Sequence, residues 1–140
     1  MPRAYRFHDP NGIYFVTLTL TGWVDLFIRP RYNDLIVDNL KYYQIEQGLR
    51  LQAWVIMTSH LHMIVRSTDK PLSDIFRNFK RHTSARLKDM IEDQPGESRK
   101  EWLHPLFQNA GLASRKHHAW RLWQDGYLAI SLLTDPFYRR

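Results

Sequence analysis

The stretch Thr58-Ser59-His60-Leu61-His62-Met63-Ile64-Val65, "TSHLHMIV", decides how this chain is read. A β-strand sends successive side chains to opposite faces, so His60, His62 and Ile64 share one face while Leu61, Met63 and Val65 share the other. The second face is apolar throughout and calls for helices to cover it. The first face sets two imidazoles side by side, each with a ring nitrogen whose lone pair can hold a divalent metal. Two half-exposed histidines bonded to backbone or water satisfy the same spacing, so spacing alone leaves both readings open.

The flanks extend this strand into a fold. "LRLQAWVIM" precedes it and joins it around Thr58-Ser59, so the two runs read as a hairpin, although the join lacks the Asn-Gly or Asp-Gly of a tight turn. Ile13 to Thr21, "IYFVTLTLT", is a strand by its β-branched and aromatic content. Tyr14, Val16, Leu18 and Leu20 fall on one side of it, with Phe15 and the threonines on a polar working face. Tyr32, Leu35, Ile36, Leu40 and Tyr43 recur at helical spacing between Pro30 and Gln47, and Gly48 supplies the stop.

Leu72 to Glu92 reads as a long helix with Leu72, Ile75, Phe76, Phe79, Leu87 and Met90 turned inward. Its outer stripe carries Arg77, Lys80, Arg81, Ser84 and Lys88, which is either a solvated face or a phosphate contact. Glu97 to Ala110 looks helical, with Ser98 and Glu101 spaced as a capping box, while Pro105 argues for a break. Gly111 to Trp120 reads as a basic loop, and "WRLWQDGYLAISLL" as a further strand with Asp125-Gly126 as a turn or bulge. Thr134-Asp135-Pro136 is a helix start followed only by "FYRR". This order predicts an α+β domain. Its antiparallel sheet has four or five strands with helices on one face, as in palm, RNA-recognition-motif and ferredoxin-like folds, and the histidines lie on a central strand.

Composition narrows the function. At 140 residues the chain is expected to form one domain, spanning 1–140, with a real core. Twenty Lys and Arg against fourteen Asp and Glu give a formal charge of +6, which favours a polyanionic partner such as nucleic acid. Five Trp and seven Tyr could stack on bases, although most aromatics belong in the core. The absence of cysteine excludes disulfides and thiolate metal sites. "MPRAYRFHDP" has no apolar signal core and no run reaches membrane-spanning length, so the expected location is cytoplasmic, without a membrane partner. A His-Glu-x-x-His zinc motif, a Gly-rich phosphate loop and a Gly-x-Ser-x-Gly elbow are all missing. His82, His104, His117 and His118 have no ligand spacing and read as surface groups.

"AWVIMTSHLHMIVRS", "IFRNFKRHTSARL" and "IYFVTLTLTGW", with "SRKEW", "LWQDGY" and "LTDPFYRR" in that order, resemble the single-tyrosine HUH transposases, in particular the REP-associated tyrosine transposases. The resemblance implies that His60 and His62 hold Mg²⁺ or Mn²⁺ at the scissile phosphate, with Leu61 anchoring the strand from behind. A tyrosine would then attack to give a 5′-phosphotyrosine and a free 3′-OH, with no nucleotide cofactor. The implied partner is single-stranded or hairpin DNA, with Arg77, Lys80, Arg81 and Lys88 as its contacts, and the protein a monomer or homodimer. The family's nucleophile lies on a C-terminal helix that "TDPFYRR" would open. The tyrosine is therefore expected just beyond Arg140, with Tyr138 as a lesser candidate and Tyr127 a weaker one. The chain as given would then lack the nucleophile helix and be inactive in cleavage. Two alternatives stand beside this reading: a non-enzymatic nucleic-acid-binding module derived from a transposase, and a metal-dependent phosphodiesterase of separate descent.

Overall fold

A computed structural model describes residues 7–93, 96–113 and 120–132 of the chain. The β-branched and aromatic runs form β1 (Tyr14–Thr19), β2 (Leu49–Ile56), β3 (His60–Ser67) and β4 (Leu128–Ser131). Runs with apolar residues three to four apart form α1 (Pro30–Glu46), α2 (Leu72–Asp93) and α3 (Lys100–Ala113). The strands pair antiparallel in the order β2-β3-β1-β4. Each helical connection therefore skips one strand, from β1 over β3 to β2 and from β3 over β1 to β4, which is the ferredoxin-like arrangement. The expected α+β class is present, and the histidines lie on a central strand.

Tyr14, Val16 and Leu18 of β1 and Leu61, Met63 and Val65 of β3 are all buried. They meet Ile36, Leu40 and Tyr43 of α1 and Ile75, Phe76, Phe79 and Leu87 of α2 in one core. Each such side chain contributes about 1.5–3 kcal/mol of burial, so the helices cover this face of the sheet and leave the other open. Gly48 ends α1 at φ +81°, where an added Cβ would lie 2.7 Å from the Asp69 backbone nitrogen.

The β2–β3 hairpin forms without a tight-turn dipeptide because distant groups hold its tip. Met57 N–H donates to the His60 carbonyl at 2.8 Å. The Thr58 carbonyl accepts from Phe27 N–H and the Ser59 carbonyl from Leu20 N–H, each at 3.0 Å. On the far side of β1, Thr21 N–H reaches the Leu122 carbonyl and Gln124 N–H the Thr19 carbonyl, both at 2.8 Å. Asp125 and Gly126 (φ 70°) then interrupt the pairing before β4, so the expected turn within this strand is where the sequence puts it.

The third helix departs from expectation. It begins at Lys100, not Glu97, and runs through Pro105 to Ala113. Pro105 forfeits one backbone bond, but Leu103, Phe107 and Gly111 are buried and hold the helix through it. Gly111 to Ala113, expected in a basic loop, are its last turn. The rest of that loop up to residue 119, and the expected helix start at Thr134 with Tyr138, lie outside the described residues. Ser98 does not cap a helix; its hydroxyl accepts from Arg29 Nη2 at 3.5 Å.

Glu97 is a buried carboxylate joining α3 to the start of α1. Its Oε2 accepts from the Tyr32 hydroxyl at 2.6 Å and lies 3.4 Å from Arg31 Nη2 and 3.6 Å from Arg29 Nε. Its Oε1 accepts from both the backbone N–H and Nε of Arg99 at 3.0 Å. Burial pushes its pKa upward, but the hydrogen bonds from Arg99 and Tyr32 outweigh burial and hold it at about 2, against an ordinary 4.5.

A carboxyl lowered to this extent contributes on the order of 3 kcal/mol of stability at neutral pH. The folded pKa lies below the unfolded one, so this contribution is complete above about pH 4.5 and vanishes as pH falls through about 2. In urea denaturation the parent is expected to lose stability across that window. Glu97→Gln is expected to be weaker by about 3 kcal/mol at pH 7, since it leaves arginines facing an amide, and to show a flatter acid limb.

Candidate functional site

His60 and His62 share the open face of β3, and their rings lie nearly parallel at 5°, with centroids 5.8 Å apart. Nδ1 of His62 is hydrogen-bonded to the Thr17 hydroxyl at 2.9 Å, and Nδ1 of His60 to the Ser59 hydroxyl at 2.7 Å. In the tautomer whose Nδ1–H donates to these oxygens, Nε2 carries the lone pair, and neither Nε2 makes a hydrogen bond among the described residues. A metal-ligating imidazole requires an acceptor for its other ring N–H, and each of these hydroxyl oxygens is in reach to serve as one. Burial, and then the neighbouring His60, lower the pKa of His62, which keeps its ring neutral and able to ligate near pH 7.

The pair fits a divalent ion as half of a site. A shared ion needs both nitrogens within about 2.1 Å, so the parallel rings must tilt toward each other to hold it. Among the described residues no third His, Cys, Asp or Glu joins them. Remaining positions would fall to water or phosphate oxygens, as is usual for Mg²⁺ and Mn²⁺. Of these two, imidazole nitrogen suits Mn²⁺ better.

Phe15, which the sequence placed on the working face, and Trp23, which it did not single out, extend the pair into a row of four rings. Phe15, across from Ile64 on β1, stacks on His62 with centroids 5.6 Å apart at 18°. Trp23 stands edge-on to His60 at 4.6 Å and 84°, and remains 68% exposed. Gly22 and Trp23 are both left-handed, with φ of 67° and 55°. For tryptophan this conformation costs about 1–2 kcal/mol, so the backbone is strained where it presents the ring. The alternation already put Phe15 on the polar face; nothing in the sequence marks a left-handed Trp23.

The expected basic stripe lies elsewhere. It is on the outer surface of α2, across the sheet from the histidines, and its cations have local partners. Arg77 pairs with Asp74 at 2.8 Å and Arg81 donates to Asn78 at 3.0 Å. Lys88 sits 5.7 Å over the Trp120 ring. Lys80 donates to the carbonyls of Gln124 at 2.7 Å and Gly126 at 2.5 Å, and burial lowers its pKa to about 8. Its ammonium holds the segment before β4 and is not presented to a phosphate. Arg81 also lines a groove of about 690 Å³ between α1 and α2, with Tyr42, Tyr43 and His82, well away from the histidine pair.

The sequence matches no family model and no curated protein, but solved structures share its fold. One is a REP-associated tyrosine transposase bound to a REP hairpin, matched over 99% of this chain and 67% of that one, with a TM-score of 0.59 and 18% identity. Another is a candidate transposase from Deinococcus radiodurans, matched over 99% of this chain and 88% of that one, with a TM-score of 0.56 and 16% identity. At these identities the likeness is one of fold: the chain has the α+β architecture of these transposases along nearly its full length.

In an NMR titration His62 is expected to protonate below the ordinary 6.5, and His60→Gln is expected to move it back upward by removing one of the two causes. An unchanged His62 pKa in that variant would mean that the two rings do not interact. The strain at position 23 has its own check. Both Trp23→Gly and Trp23→Ala remove the ring, but only glycine relieves the left-handed backbone. Trp23→Gly is expected to be the more stable by about 1 kcal/mol in chemical denaturation, the reverse of the usual order.

Proposed function

We propose that this chain is a single-tyrosine HUH transposase domain that binds single-stranded or hairpin DNA across the open sheet face. In this reading His60 and His62 hold Mg²⁺ or Mn²⁺ beside a scissile phosphate. The observation that carries the proposal is the histidine pair itself: two imidazoles with outward Nε2 atoms and hydroxyl-bonded Nδ1 atoms, in a fold shared with transposases. The ion would draw charge from a non-bridging phosphate oxygen. Thr17 and Ser59 would accept from the Nδ1–H of the ligating tautomers, and Phe15 and Trp23 flank the pair with surfaces on which bases can stack.

Cleavage in this class is a transesterification, in which a tyrosine oxygen bonds to phosphorus, the bond to the 3′ oxygen breaks, and a 5′-phosphotyrosine and a 3′-OH result. None of the described tyrosines is placed for this. Tyr14 and Tyr32 are buried on the helix side, Tyr127 packs on Phe7 and Phe76, and Tyr42 and Tyr43 belong to α1. The nucleophile is proposed to come from the C-terminal region, with Tyr138 as the candidate.

A non-enzymatic binding module is the second reading, favoured by the row of four rings, which can stack bases with no ion present. Fluorescence anisotropy with single-stranded and hairpin oligonucleotides separates the two. In the transposase reading Mn²⁺ tightens binding several-fold in the parent and has no effect in His60→Ala/His62→Ala. In the module reading Mn²⁺ changes neither protein. A covalent adduct with DNA that forms in the parent and disappears in Tyr138→Phe would assign the nucleophile to Tyr138.

A further inference from the structure

The four strands contain no Asp or Glu. Their only cationic residues are Arg50 of β2 and Arg66 of β3, which lie directly opposite each other. Residue 66 alternates with the buried Val65 and so shares the face of Ile64, His62 and His60. Pairing puts Arg50 on that face too. Both are exposed, and neither makes an ion pair or hydrogen bond among the described residues. Like charges facing each other across antiparallel strands destabilise the pair, so the sheet carries a local cost that an anion would remove. The guanidinium is the side chain best shaped for that anion, since its planar fork meets two oxygens of one phosphate.

Position supplies the rest. His62 and Arg66 are four residues apart on one strand, about 13 Å along the sheet. Between them Ile64 lies beside Ala53 and Phe15, its partners on β2 and β1. This is an apolar floor flanked by two cationic or metal-binding ends. The basic stripe on α2 offers no such arrangement, because its cations are already partnered and face the other way.

We propose that Arg50 and Arg66 form a phosphate clamp for single-stranded DNA, fixing the backbone on the sheet face about 13 Å from the histidine pair and directing the strand along β3 toward it. The clamp rests on the DNA-binding reading given above. It adds a second anion site and a direction for the bound strand.

The test is anisotropy of a labelled single-stranded oligonucleotide, measured across salt concentrations with the full chain. Arg50→Gln/Arg66→Gln is expected to weaken binding at least tenfold at 0.1 M salt and to flatten the slope of log affinity against log salt by about 0.7, the value for one phosphate contact on a single strand. Lys41→Gln/Arg86→Gln removes the same charge from exposed helix positions and is expected to change affinity less than threefold. Arg66→Glu gives Arg50 a partner, so its melting temperature is expected to rise while its affinity falls. If the Arg50/Arg66 variant and the helix-side control lose affinity equally, the clamp is overturned and the DNA-binding reading survives. If the parent does not bind single strands at all, both fall.

Discussion

The pairing of β1 with β3 is the constraint on which the rest of the structure depends. It sets Thr17 against His62 and Thr19 against His60. Because side chains alternate, a slip of one residue would drive both imidazoles into the core and expose Leu61, Met63 and Val65. Burial of those three against the helices forbids the slip. The Thr17–His62 hydrogen bond ties the same register from the open side and holds the ring of His62 by its Nδ1. One pairing thus fixes the core and the face on which both histidines stand.

The segment between β1 and α1 converts this pairing into a site. Its backbone holds the hairpin tip through Leu20 and Phe27. It is held in turn by Arg99, which donates to the carbonyl and carboxylate of Asp25, each at 3.1 Å. Arg99 is oriented by Glu97, so the buried carboxylate acts at one remove on the stretch that carries Gly22 and Trp23. A tryptophan in the left-handed region survives only where its surroundings over-determine it. Here that comes from a network of long-range bonds whose members are close only once α3 has docked.

The sequence makes the histidine face legible because a period of two is a local property. Knowing that His60–Val65 is a strand is enough to separate the two faces. The same holds for β1, and for the inward stripe of α2. Contacts that span the chain are not legible in this way. Lys80 looks like a member of a free basic stripe until Gln124 and Gly126, more than forty residues later, accept its protons. Glu97 looks like a helix residue until Tyr32, sixty-five positions earlier, donates to it. Pro105 looks like a break because the apolar packing that carries the helix through it comes from other elements. The clamp pair shows the same limit. Arg50 and Arg66 are unremarkable residues in two strands, and only the register, shifted by the irregularity between Leu51 and Ala53, brings them opposite each other.

A formal charge of +6 says that the chain favours polyanions, but not where one lies. On the outer stripe of α2, an acid, an amide, two carbonyls and an aromatic ring already partner Arg77, Arg81, Lys80 and Lys88, so a phosphate arriving at that stripe must compete with existing partners. On the sheet side the two arginines repel each other over an apolar surface, and His62 is held neutral. A phosphate at the arginine pair replaces a repulsion with charge-assisted hydrogen bonds. An ion at the histidine pair displaces no proton from His62. On the proposed reading, a bound strand would gain more at the arginine pair than at the α2 stripe, because affinity follows the unsatisfied charge and not the total.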